Sequence, residues 1–232
     1  MINSLETISL DEAIKTESLR PKFLAGLLPK NIPYCRNVVY DADGSKITNY
    51  IEDKLVSLGI KKDEATKIAE QTMSGKLNKR GAGLPLISYF IGSGIYSDLF
   101  VGPRIFTGEY NEKEISHHLL AHDGTHLRQT AIGFPYFNTN EFKDAWMKNE
   151  IRPLVVANIA ELDANYQSLL RVQSGEFQVR DECMRKLFHN YKLGIASLYN
   201  LRHDSKSEKE KKFIDIMLKF APHTKSQNCI GL

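Results

Sequence analysis

The sequence predicts an α+β fold, mainly helical, with a small antiparallel sheet ahead of a histidine-rich helix. Three observations predict it. Apolar residues recur at three- and four-residue steps through most of the carboxy-terminal half. Short runs rich in Ile, Tyr, Phe and Val lie between residues 84 and 106. The 232 residues are 42% apolar and 25% charged, the balance of a globular chain. Residues 1–80 are expected to form a helical N-terminal portion, residues 81–204 the core, and residues 205–232 a lysine-rich helical extension, together one compact domain.

Ser9 followed by Glu12 has capping-box spacing, which predicts a short helix through Thr16 before breaks at Pro21 and Pro29. Residues 47–58 and 63–73 read as a helical pair joined by a turn at residues 59–62. Glycines and Pro103 cut residues 84–106 into two or three strands. The helical period then returns over residues 112–130, 152–172, 180–201 and 208–220. Gly133, Pro135, Asn138 and Asn140 separate the first of these from a short helical piece around Trp146, a loop suited to shaping a cleft. Trp146 itself is expected in the core. Residues 205–212, rich in lysine, read as a solvated connector.

Several classes of function are disfavoured. The 31 basic and 28 acidic side chains leave a net charge of +3, too little for a chain that wraps nucleic acid. Cys35, Cys183 and Cys229 have no close spacing, so neither a disulfide scaffold nor a cysteine-rich zinc site is indicated. Such cysteine usage fits a reducing compartment. The first 15 residues carry Glu6, Asp11 and Glu12 and lack the basic flank and apolar run of a secretory signal. The most apolar stretch, residues 84–102, is interrupted by Gly92, Ser93, Gly94, Ser97 and Asp98 and cannot span a bilayer.

One segment is chemically unusual. Four of the seven histidines, His117, His118, His122 and His126, fall within ten residues. A four-residue helical step turns about 400° and rises about 6 Å, so His122 and His126 share a face as two ligands of one metal must. His118 and His122 have the same spacing, but only His122 is followed by an acid, Asp123. His122-Asp123-Gly124-Thr125-His126 therefore has the form of the zincin signature His-Glu-x-x-His with aspartate for glutamate. In that signature the imidazoles hold zinc and the adjacent carboxylate takes a proton from the attacking water. Gly124 weakens a helix interior by about 1 kcal/mol relative to Ala and points to close packing or a locally loosened helix. Glu161, 35 residues after His126, is placed to supply a third ligand from an antiparallel return helix.

Residues 101–106, Gly108-Glu109-Tyr110 and residues 120–129 resemble the strand, turn and active-site helix of zincin-like metallopeptidase domains. The similarity is to those of bacterial toxin and effector proteins, whose helix reads Leu-x-His-Glu-x-Thr-His-x-x-Gln. Glu161-x-x-Ala164-Asn165 is similar to the glutamate-ligand helix of the gluzincin branch. The resemblance spans residues 100–170. It implies zinc (Zn2+) held by His122, His126 and Glu161, Asp123 in the general-base position, and a protein or peptide substrate. Because Asp123 is one methylene shorter than the family's glutamate, a catalytically degenerate zincin acting as a protein-binding module stands beside the peptidase reading. Tyr166 is a further candidate, as donor to a developing oxyanion, with core packing as its alternative.

Other readings compete. A histidine-rich surface helix without metal is one. Another is a metal-dependent phosphohydrolase built on the His122-Asp123 doublet, which lacks the upstream histidine that class requires. His203-Asp204 reads as an exposed helix end, and Asp163 as solvated or structural. The chain ends Cys229-Ile230-Gly231-Leu232, the form read by geranylgeranyl transfer, with nearby lysines as a second, electrostatic membrane signal. The expected location is cytoplasmic, or inside a host cell after secretion without a cleaved signal, with peripheral membrane association if Cys229 is lipidated.

Overall fold

The structure, a computed structural model, describes residues 8–77, 88–93 and 95–221. The carboxy-terminal tetrapeptide with Cys229 lies outside the described residues. The chain divides into two compact units, Met1–Leu119 and Leu120–Leu232, with the boundary inside the histidine-rich helix.

In the first unit α1 (Leu10–Lys15) opens with the expected capping box, Ser9 and Glu12 exchanging side-chain to backbone hydrogen bonds. Pro21 starts a helix instead of breaking one. It sits in the first turn of α2 (Arg20–Leu27), where the missing N–H would have no intrahelical partner. The expected helical pair is α3 (Ser45–Ser57) and α4 (Lys62–Leu77), which pack together. Buried Asp41 accepts from the amides of Lys46 and Ile47, at 3.2 and 3.0 Å, and so satisfies two orphan donors in the first turn of α3.

The sheet corrects the expectation of an antiparallel one. Its order is β1 (Cys35–Tyr40), β3 (Tyr96–Val101), β2 (Ser88–Ser93). β2 and β3 pair antiparallel, but β1 pairs parallel to β3, with Val38 opposite Leu99 and Val39 opposite Phe100, so the sheet is mixed. The sequence reading had no strand at residues 35–40. Ile47 and Phe100 form a small core on which Val39, Tyr50 and Ile51 pack, so α3 lies against the sheet. A 3-10 turn, Pro103–Phe106, leads to α5 (Glu112–His117), whose Asn111 and Glu114 form a second capping box.

The second unit is helical among its described residues. After a π turn at His118–His122 come α6 (Asp123–Ile132), α7 (Thr139–Met147), α8 (Pro153–Gln173), α9 (Asp181–His203) and α10 (Glu208–Phe220). Gly133 ends α6 at φ +83°, and a Cβ there would lie 2.5 Å from the Thr139 side chain. The core gathers Phe137, Phe142, Ile159, Leu162, Tyr191 and Phe213 from the loop and helices. Gly194 lets α9 approach α8, since a Cβ there would meet Leu162 at 3.2 Å. Trp146 is 46% exposed, contrary to its expected core role. The lysine-rich segment is also less solvated than expected. It enters α10, and buried Glu210 accepts from the Arg152 amide at 2.8 Å and its guanidinium at 2.6 Å, capping the N-terminus of α8 with a negative charge. No helix among the described residues is long and apolar enough to cross a membrane.

Candidate metal centre

The backbone that carries the histidines is not a uniform α-helix. It widens into the π turn over His118–His122, two residues before Gly124, which itself lies in α6. Side chains hold this turn. Arg171 Nη1 donates to the Leu120 carbonyl at 2.7 Å, and Thr125 Oγ1 donates to the Ala121 carbonyl at 2.7 Å. The step from His118 to His122 therefore does not repeat the regular turn from His122 to His126.

The rings of His122 and His126 meet edge to face, with centroids 4.9 Å apart. Helix α8 packs on α6 and brings Glu161 opposite them. His122 Nε2 lies 3.5 Å from Glu161 Oε2, and His126 Nε2 lies 3.4 Å from Glu161 Oε1. One ligand atom from each residue falls within 4.8 Å of the others, and among the described residues no other three His, Cys, Asp or Glu side chains gather in this way. The three predicted ligands are thus together. Asp123 and His118 are not in that group.

The spacing has a chemical meaning. A good N–H to O hydrogen bond spans about 2.7–3.2 Å, shorter than either contact. Two ligand atoms bound at about 2.0–2.1 Å in a tetrahedron stand about 3.3–3.4 Å apart. Each imidazole nitrogen stands at about this separation from a different oxygen of Glu161, and the donor set of two imidazoles and a carboxylate suits zinc and equally suits other first-row divalent metals that take nitrogen and oxygen donors.

Charge is arranged in the same sense. Burial, the largest single influence, would depress the His126 pKa, but the close contact and charge of Glu161, the Gln129 side chain and the charge of Asp123 together hold it above its ordinary value. The surroundings of the His126 ring therefore favour its protonated form. Asp123, itself buried, contributes to that field from the residue after His122.

The remaining candidates lie elsewhere. Tyr166 is five residues beyond Glu161, about 140° around the helix, and its ring stacks on Tyr191 of α9 with centroids 5.9 Å apart. Its place is with the core, and the oxyanion role gains no support from it. His203 is exposed at the end of α9, as expected. Asp163, read as solvated or structural, is fully buried, so the structural alternative is the one that fits. It accepts from Arg128 at 3.0 Å, Gln129 at 2.8 Å and Tyr136 at 2.9 Å. Sequence reasoning matched Gln129 to the last position of the resembling helix but gave it no role, and its Oε1 lies 2.9 Å from His126 Nδ1. The signal was its position three residues after His126, on the neighbouring part of the same helical face.

Comparison with family models, with curated proteins and with solved structures gives no match.

Proposed function

We propose that this chain is a metal-dependent hydrolase of the zincin-like kind, a peptidase acting on a protein substrate, with zinc as its metal. The observation that carries the reading is the approach of two imidazole Nε2 atoms to the two oxygens of Glu161 at ligand-to-ligand spacing. The resemblance of residues 120–129 and of Glu161-x-x-Ala164-Asn165 to gluzincin helices supports it from the sequence. A zinc ion, when bound, supplies a Lewis acid that polarises a carbonyl and makes water a stronger acid.

The chain's own residues have separate tasks in this reading. His122 and His126 hold the metal with neutral imidazoles, and Glu161 offsets one of its positive charges. Asp123 accepts the proton of the attacking water. Being shorter than glutamate, Asp123 has less reach, and a second reading follows from that residue: a degenerate zincin that binds a protein partner without turnover. The phosphohydrolase reading loses ground because Glu161, and not Asp123, joins the histidines.

Metal analysis of protein purified without chelators tests the first reading, and it scores iron, manganese, cobalt and nickel alongside zinc. About one zinc per chain is expected, lost when His122 and His126 are both replaced by Ala. Protein that retains no metal after reconstitution overturns the reading. Asp123→Asn separates enzyme from binding module. It should keep the metal and lower peptide hydrolysis by about 10²–10⁴-fold, whereas undiminished turnover would remove Asp123 from the mechanism.

A further inference from the structure

The amide of Gln129 can be oriented from its neighbours. Its Nε2 lies 3.1 Å from the Ala160 carbonyl and 2.8 Å from Asp163 Oδ2. A carbonyl and a carboxylate only accept, so this end of the amide is the NH2 group. The other end, Oε1, can then only accept, and it faces His126 Nδ1 at 2.9 Å. Nδ1 must carry the hydrogen. In the neutral ring this leaves the lone pair on Nε2, the atom that faces Glu161.

Asp163 is itself held from several sides. Oδ2 receives Arg128 Nη2 as well as Gln129, while Oδ1 receives the Tyr136 hydroxyl at 2.9 Å and Gln167 Nε2 at 3.3 Å. Gln167 also donates to the Tyr136 oxygen at 2.6 Å, which directs that hydroxyl's own proton toward Asp163. Arg128 and Gln129 come from α6, Tyr136 from the following loop, and Asp163 and Gln167 from α8. The acceptor character of Asp163 is thus set by packing between α6 and α8, and it passes through Gln129 to His126.

The structure assigns Gln129 and Asp163 as positioning residues: their relay locks His126 in the Nδ1–H form and presents Nε2 to a metal. This rests on the metal-centre reading above and adds to it a pair of residues that touch neither metal nor substrate. Polar partners behind a ligand histidine commonly set its tautomer and ring orientation, and their loss costs about 10–100-fold in metal affinity.

The metal-free protein allows a test independent of turnover. With ¹⁵N-labelled histidine, long-range proton–nitrogen spectra at about pH 9, well above the ordinary imidazole range, report which ring nitrogen of His126 is protonated. The wild-type chain should show Nδ1–H alone. Gln129→Met, which keeps the side-chain length and removes the acceptor, should shift His126 to a mixture of tautomers and weaken zinc affinity about 10–100-fold. Nε2–H in the wild-type chain overturns the assignment without any variant, as do an unchanged tautomer and affinity in Gln129→Met. A wild-type chain that shows Nδ1–H yet takes up no zinc overturns the metal-centre reading instead, so the two failures are distinguishable.

Discussion

Glu161 and Asp163 are carboxylates two residues apart on α8, about 200° apart around its axis, and their surroundings are opposite. The Asp163 side chain is 0% exposed and takes donors from Arg128, Gln129, Tyr136 and Gln167. Glu161 is 59% exposed and faces two imidazole nitrogens at distances longer than a good hydrogen bond. One face of the helix thus holds a charge already neutralised inside the protein, which fixes side chains in place before any metal arrives. The other holds a carboxylate whose oxygens stand where ligands stand. On the proposed reading, support and binding fall on two sides of one helix.

Removing the inner carboxylate should have the largest effect. Asp163→Ala takes the carboxylate from the Arg128 guanidinium, the Tyr136 hydroxyl and the Gln129 amide, and should lower unfolding free energy by about 3 kcal/mol, the cost of breaking a buried ion pair from one side. Urea denaturation of the metal-free protein measures it. A loss under about 1 kcal/mol would mean that the network is not holding α6 to α8.

Above neutral pH the outer group should stabilise only through the metal. Free zinc at 100 times its dissociation constant should raise unfolding free energy by about 2.7 kcal/mol in the wild-type chain. The gain should vanish when His122 and His126 are both Ala. A gain that persists there places the metal elsewhere in the molecule.

Acid should weaken that gain in a definite direction. The His126 pKa is raised, and its protonated form cannot bind a metal. As pH falls through that raised value, zinc affinity should drop about tenfold per unit for this one proton. Calorimetric titrations at several pH values, corrected for buffer ionisation, would record the slope. An affinity flat between about pH 5 and 8 excludes His126 as a ligand.

What the sequence made legible follows the same division. The periodic segments α3, α4, α8, α9 and α10 were visible because each carries its pattern over three turns or more. The outer group was visible because its chemistry is local: His122 and His126 repeat at one helical turn, and Glu161 falls on the next long helix. The inner network was not visible, since Arg128, Gln129, Tyr136 and Asp163 meet only through the packing of α6 on α8. An aspartate at residue 163 reads as solvated or structural, and its donors become known only from the packing. Strand β1 was missed for a related reason. Its apolar run, Val38-Val39-Tyr40, is too short to show alternation, and its partner Leu99 lies far along the chain. The π turn leaves no mark on a 3.6-residue period.

The smallest expected effect sharpens the comparison most. Glu161→Gln in the metal-free chain keeps the volume of an exposed side chain, so above neutral pH its stability should stay within about 0.5 kcal/mol of wild type. The His126 pKa should fall, because burial still opposes the charged ring while the negative charge of Glu161 is gone. The sign for stability follows from linkage. A folded-state pKa raised above the unfolded value contributes stability that is fully present below the unfolded value, about 6.5, and is lost as pH rises through the raised one. Wild type and Glu161→Gln should therefore coincide at alkaline pH and separate, with wild type the more stable, as pH falls through that window toward about 5. NMR titration of His126 and urea midpoints along the same pH series check both halves. If the curves stay parallel, Glu161 does not govern the charge of His126, and the distance between them would have to be read as packing alone.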